Sequence, residues 1–438
     1  MEHTPSTRST RRERIAWYLY DFGNSAYASV VLLAVFSAYF QKEVVGGAEG
    51  TRLWGIAILI AMLFVALTAP VLGAIADFST SKKRFLFFYT AVACLFTAGL
   101  FFAERGTVLL AMVCFIIAEI GYRSAQVFYD ALLPEIAASD EMGRVAGTGW
   151  AIGSAGGIVV LLVILPLILL IKGTLVIRFS LVITAIFFAL FALPLFLLLR
   201  ERAKPQALPS GENYLTIAFK QLRRTISATQ RFKEFLKFML AFLIYNDGVI
   251  MALDFAAIIG GVLFGLKQEE LIVLMIIVQA ANVLGAYLFG QMVDRMGAKR
   301  SLNISIALMI VIVLGLYFAQ TKTDYFVIAS LAGFAMAGIQ SVSRTMVAMF
   351  APPGQSAEFY GFFAMAGRTS SFIGPGVFGW LEAEATLWFQ AQGQASGVAE
   401  QAGHRVAILS IAAFLIAGFA LLWFVNEQRA RAAAEREA

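Results

Sequence analysis

Four polar residues in one long apolar stretch of the sequence, Glu119, Arg123, Gln126 and Asp130, recur at i, i+4, i+7 and i+11. A helix carries all four on one face. Glu119 one turn before Arg123 is the favourable order for a helical ion pair. Burying such a pair rarely stabilises a fold relative to apolar residues of equal volume, so a functional role explains it better than an internally neutralised structural pair, which is the alternative. A second stretch, WYLYDFGNSAY from Trp17 to Tyr27, sets Asp21, Asn24 and Ser25 on one face. A charge at that depth in lipid costs about 2.5 to 3.5 kcal/mol on the gentlest scale. It must therefore face an aqueous cavity or a partner, unless it serves as a helix-helix hydrogen-bond acceptor or is hydrated near a membrane face. A third, IYNDGVIMALDF, supplies Tyr245, Asn246 and Asp247, with Asp254 two turns further on the same face. Arg368 is a second cation near the middle of its run, and Arg344 lies nearer the end of its own.

Arginine suits bidentate carboxylate recognition, while Asp21 or Asp247 could receive an ammonium. The inventory Asp21, Asn24, Arg123, Gln126, Tyr245, Asn246, Asp247 and Arg368 thus fits a small zwitterion. Glu119, Asp247 and Asp254 are the candidates for carrying a proton across in exchange for substrate, with a proton-independent uniporter as the competitor. Tyr20, Tyr27, Tyr122, Phe128, Tyr129 and Tyr245 could wall such a site, although core packing is the commoner role of an aromatic residue.

These residues must be positioned by membrane-spanning helices. The chain is 60% hydrophobic and 14% charged, with mean hydropathy +0.79, whereas about a quarter of a soluble domain is charged. A crossing takes roughly 20 apolar residues, and twelve runs of that order occur: 15–40, 53–76, 85–103, 107–133, 144–171, 175–199, 236–264, 270–292, 301–320, 324–350, 359–383 and 404–425. They are numbered here as spans 1 to 12. Ten-residue segments of alternating polarity are absent, which excludes a transmembrane barrel. The fold expected is all-α and integral to the membrane. The polar, basic first fourteen residues suggest no removable signal peptide, so span 1 acts as its own anchor. Cys94 and Cys114 fall inside apolar runs and read as small buried hydrophobes. His3 and His404 are read as lying outside the apolar cores, which leaves no histidine for zinc or nucleophilic chemistry in the membrane. No metal or other cofactor is expected.

Most of the 34 Lys and Arg fall in alternate connections, and positive residues stay on the cytoplasmic side. Both termini are therefore expected in the cytoplasm. This also accounts for a pI near 9.3 and net charge +6 without nucleic acid as a partner. The organisation expected is a basic N-terminus (1–14), a six-helix bundle (15–199), a cytoplasmic linker (200–235), a second six-helix bundle (236–425) and a tail (426–438). The linker is either a solvated connection or an amphipathic helix against anionic headgroups.

The two bundles are related. GAIADFSTSKKR, from Gly73, and GQMVDRMGAKR, from Gly290, follow spans 2 and 8. At an offset of 217, Gly73 meets Gly290, Asp77 meets Asp294, Lys82 meets Lys299, Lys83 meets Arg300, Gly121 meets Gly338 and Ser124 meets Ser341. Parallel six-helix repeats are the major facilitator architecture, with substrate near the midplane. Asp77, Lys82, Asp130, Asp294, Arg295, Lys299 and Arg300 are the gating candidates, as inter-helix charge contacts at one membrane face. Gly149, Gly153 and Gly157 in span 5 form a close-packing face.

GQMVDRMGAKR resembles the major facilitator signature loop, and GAIADFSTSKKR resembles it with Phe78 in place of the expected Arg. WYLYDFGNSAY, GYRSAQVFYDALLPEIA and SSFIGPGVFGW together are similar to the "unknown major facilitator" family, which includes a yeast vacuolar effluxer of amino acids. The resemblance implies a secondary transporter, not an enzyme, that exports an amino acid or similar solute from a monomer embedded in a bilayer. A bacterial inner membrane is the location expected, with a vacuolar one left open. The competing readings are a drug, sugar or metabolite exporter and, from another class, a lipid scramblase or intramembrane enzyme. The spans contain no H-E-x-x-H or G-x-S-x-G motif to support an enzyme.

Overall fold

The computed structural model describes residues 10–78, 81–137, 142–171, 173–202, 232–350 and 373–430, with a few isolated positions between them. Among the described residues the structure is all-helical. Thr10 caps the first helix. Its hydroxyl accepts the Glu13 amide while Glu13 Oε2 accepts the Thr10 amide at 2.8 Å, a reciprocal closure of two otherwise orphaned donors. From there α1 (Arg11–Tyr27) runs into a π-helical stretch, Ala28–Ala34, then α2 (Phe36–Tyr39) and a second π-helical stretch, Phe40–Val45. The first π-helical stretch begins just beyond the Asp21, Asn24 and Ser25 stripe, and such insertions are frequent at functional sites.

The remaining helices are α3 (Gly47–Phe78), α4 (Lys82–Gly99), α5 (Val108–Ala131), the short α6 (Leu133–Ile136), α7 (Met142–Leu170) and α8 (Thr174–Leu198) in the first repeat. The second repeat has α9 (Lys233–Asp254), α10 (Ala256–Phe264), α11 (Gln268–Met296), α12 (Ala298–Phe318), α13 (Lys322–Phe350), α14 (Ile373–Ala391) and α15 (Ser396–Trp423). Eleven described helices are long and apolar enough to cross a membrane. Span 7, expected as one run over 236–264, is interrupted at Phe255. Span 11 is described from 373 to 391, later than the expected 359–383, most of whose first half lies outside the described residues. The linker's expected amphipathic helix lies outside them too. Gly297, at φ +87°, provides the left-handed turn that joins α11 to α12.

Contacts divide the chain into two compact units, one of residues 1–32, 67–103 and 109–221, the other of 33–66, 104–108 and 222–438. The far half of span 1 and the near half of span 2 thus belong to the second unit.

In the first unit α1 lies between α7 and α8. Methyl groups at Gly149, Gly153 and Gly156 would overlap the Trp17 ring, the Asp21 carboxylate and the Phe22 carbonyl, so the glycine face of α7 brings two backbones into contact. In the second unit Gly418 gives α15 the same close approach to Tyr245, and Gly285 gives α11 the same approach to Phe334. Large side chains such as Leu67, Leu109, Leu170 and Phe318 are strongly exposed, as helices facing hydrocarbon require.

Candidate functional site

In the first unit, α5 carries the polar face expected of it. Arg123 Nε donates to Glu119 Oε1 at 2.8 Å, with the Glu119 side chain 1% exposed and that of Arg123 25% exposed. The guanidinium carbon lies 5.3 Å from the Tyr122 ring centre, within cation-π range. Tyr122 in turn stacks on Tyr27 of α1 at 4.5 Å. The Tyr27 hydroxyl and Glu119 interact with one another in this buried region, and Asn24 Oδ1 is buried without a hydrogen-bond partner. Asp21 sits one turn before Ser25 against the gap left by Gly153. Trp17, Tyr20 and Tyr129 form a stack, with centroids 4.4 and 4.9 Å apart, and the Tyr20 hydroxyl is 2.7 Å from Thr90 Oγ1. These three are core residues. Gln126 and Asp130 follow on α5, Asp130 exposed at its end.

In the second unit, Asn246 Oδ1 accepts from Gln340 Nε2 of α13 at 2.9 Å. The Asp247 carboxylate accepts the Gly374 amide, at 3.2 Å through Oδ1 and 3.0 Å through Oδ2, at the start of α14. Tyr245 is fully buried, its hydroxyl 2.7 Å from Ser343 Oγ. Asp254 is buried at the end of α9, and its backbone carbonyl accepts from Trp54 Nε1 at 3.1 Å. Arg368 lies outside the described residues. Gln340 stands at the repeat position of Arg123, the sequence signal that marks it.

The gating candidates are placed as follows. Lys82 pairs with Glu135 at 2.8 Å and reaches the Ala131 carbonyl at 3.2 Å. Its neighbour Lys83 donates through Nζ to the Leu199 carbonyl at 2.6 Å and through its amide to Glu201 at 2.5 Å. Burial raises the Glu201 carboxyl above its ordinary value, partly offset by that amide. Lys299 donates through Nζ to the Val425 carbonyl at 2.5 Å and through its amide to Glu427 at 3.3 Å. Asp294, Arg295 and Arg300 are exposed, and Asp77 lies in the last turn of α3. Lys83, not Lys82, therefore occupies the place of Lys299. GAIADFSTSKKR is one residue longer than its counterpart, which shifts the register between the aspartates and the lysines. The sequence also misplaced His404, which is fully buried inside α15. Its helix starts at Ser396, eight residues before the expected span.

The fold and these buried polar faces can now be set beside known proteins. A match to the family "Vacuole effluxer Atg22 like" covers residues 56–435. The chain belongs to this family. An uncharacterized MFS-type transporter of Bacillus subtilis, YxiO, is 27% identical over 432 residues, covering 96% of each chain. Autophagy-related protein 22-1 of Penicillium rubens is 23% identical over 258 residues, which are 54% of this chain and 44% of the fungal protein. The chain thus matches less than half the length of that relative. Among solved structures, a bacterial homologue of the human lysosomal transporter Spinster superposes with TM-score 0.67 at 15% identity, covering 96% of this chain and 97% of that one. The nucleoside transporter NupG gives 0.65 at 14%, covering 94% and 98%. These likenesses establish the major facilitator fold. The family member described here is a multi-pass membrane protein and a secondary transporter of small molecules, not an enzyme.

Proposed function

We propose that the protein moves an amino acid or a similar small zwitterion by alternating access, as proton-coupled efflux. The observation that carries this reading is the Glu119–Arg123 pair, a quarter-exposed guanidinium held on a buried carboxylate within a spanning helix. Arg123 receives the substrate carboxylate and Asp21 its ammonium, with Asn24 and Gln126 on the same faces. Asn246, Asp247 and Arg368 are the further substrate-binding candidates, and Tyr245 holds α9 against α13. Glu119, Asp247 and Asp254 are the proton carriers. Asp77, Lys82, Asp130, Asp294, Arg295, Lys299 and Arg300 adjust the rate of conformational change. The protein works as a monomer in a bacterial inner membrane with both termini cytoplasmic. The efflux named in the family description supports the direction.

The test is a thermal-shift screen of purified protein against amino acids, dipeptides, sugars and nucleosides, repeated with Arg123→Ala. A ligand that binds only the native state stabilises it, by about 2.7 kcal/mol at a hundred times its Kd. Stabilisation by an amino acid that disappears in the variant supports the reading. Stabilisation by sugars or nucleosides alone, unchanged in the variant, discards it.

A further inference from the structure

The second unit buries a polar cluster that none of the roles above uses. Glu382 of α14 and His404 of α15 are both fully buried, and Glu382 Oε1 lies 3.1 Å from His404 Nδ1. The Thr386 hydroxyl donates to the same oxygen at 3.2 Å. Nδ1 is also 3.2 Å from the backbone carbonyl of Glu400, which can only accept, so Nδ1 carries a hydrogen. The other ring nitrogen, Nε2, is 3.3 Å from the buried Thr51 hydroxyl of α3. Gln41, from the second π-helical stretch of span 1, donates to Glu400 Oε1 at 3.0 Å. Residues of the chain's first repeat are thereby fastened to its last two helices within one unit.

Glu382 Oε2 is buried with no hydrogen-bond partner. An ionised carboxylate left half-satisfied in apolar surroundings is strongly disfavoured. The neighbouring charges do not offset it. Arg52, next to Thr51, is 42% exposed and paired with Glu49 at 3.6 Å. Arg405, next to His404, donates to the carbonyls of Tyr317 and Ala319. Glu400 adds a second carboxyl on the side of Gln41, Asp254 is acidic as well, and Glu384 is exposed. The Phe378 ring, 6.3 Å from the imidazole, supplies apolar surface. Gly403 permits the close approach of α15 to α14, since a methyl there would overlap Thr386 Oγ1.

We propose that Glu382 and His404 together bind one proton, and that this proton holds residues 41–51 against α14 and α15. With the proton bound, the pair is an imidazolium and a carboxylate, net neutral, and Nε2 donates to Thr51. When the proton leaves for water, the imidazole is neutral, Nε2 accepts from Thr51, and the pair carries an uncompensated negative charge that hydration favours. Release is therefore linked to opening of this end of the unit. The inference rests on the transporter reading, in which a site that gains and loses a proton while packing and unpacking supplies coupling.

The experiment reads opening directly and needs no substrate. Ala57 of α3 is buried in the same unit. An Ala57→Cys thiol, in a background of Cys94→Ser and Cys114→Ser, is labelled with a maleimide in the full-length protein in nanodiscs from pH 5.5 to 8.5. Each rate is divided by that of the same thiol with Glu382→Gln, which mimics the protonated carboxyl and shares the thiol's own pH dependence. The ratio is expected to rise about tenfold or more across the range, since one linked proton shifts an opening equilibrium by up to tenfold per pH unit. His404→Gln should remove the rise. A flat ratio overturns the proposal. If Glu382→Gln does not fold, free glutathione serves as the reference and a flat normalised profile overturns it equally. A flat profile beside an Arg123-dependent ligand shift refutes this site and spares the transport reading, while the reverse pattern refutes that reading alone.

Discussion

One helical face, repeated in the two halves of the chain, carries different chemistry in each. In the first unit α5 presents Glu119 and Arg123, 2.8 Å apart. At the same offset of 217, α13 presents Met336 and Gln340, and Gln340 binds the neutral Asn246 instead of a carboxylate. The backbone scaffold was duplicated but the charge was not. The difference teaches that this helical face can pack with or without ions: α13 joins α9 through a neutral Gln340–Asn246 hydrogen bond where α5 carries an ion pair.

That comparison is broken or sharpened most directly by exchanging the two faces. Arg123→Gln alone leaves Glu119 buried without its cation and should lower stability by about 3 kcal/mol, the scale for breaking a buried pair. Glu119→Met with Arg123→Gln copies the second repeat and should recover most of that loss while abolishing ligand-induced stabilisation. Thermal unfolding of the single and double variants measures both. A double variant as unstable as Arg123→Gln would return the pair to a structural role.

A smaller effect is expected at the matched loops. Lys83→Gln and Lys299→Gln should each cost about 1 kcal/mol, the worth of a hydrogen bond that caps a helix end, because both side chains reach carbonyls at the end of their repeat's last helix. Lys82→Gln should act differently, since it removes the cation paired with Glu135, whose Oε2 keeps the Arg202 amide. Equal losses at Lys82 and Lys299, with none at Lys83, would restore the register read from the sequence.

The smallest effect concerns Glu201, whose folded carboxyl is raised above its ordinary value. The folded state binds this proton more tightly than the unfolded chain, so the contribution is present at acid pH and is lost as pH rises through the folded value. Glu201→Gln should flatten that part of the pH-stability curve. Glu427→Gln, at the matched position after the last helix of the second repeat, provides the comparison.

Much of this was legible in the residues. The spans, the helical class and the duplication followed from run length and repeated loops, because hydrocarbon thickness and backbone satisfaction leave few alternatives. The Glu119–Arg123 pair followed from spacing alone, since residues four apart on a helix are neighbours. The Lys83 register, the break at Phe255 and the burial of His404 were not legible. Each depends on where a helix begins or ends, and periodicity blurs that by several residues. The Glu382–His404 contact joins residues 22 apart on different helices, and no local pattern encodes it.

By itself, the sequence determined that the chain crosses a membrane many times, repeats itself and carries ions on faces where lipid would reject them. The tertiary structure alone decided which partners the buried polar groups meet on other helices. It set Asp247 on the amide of Gly374, Gln340 on Asn246, and Thr51 of the first repeat on His404 of the last helix. The physical reason is range: burial is dictated by composition over twenty residues, whereas a hydrogen bond is dictated by a few tenths of an ångström between helices that the sequence separates by hundreds.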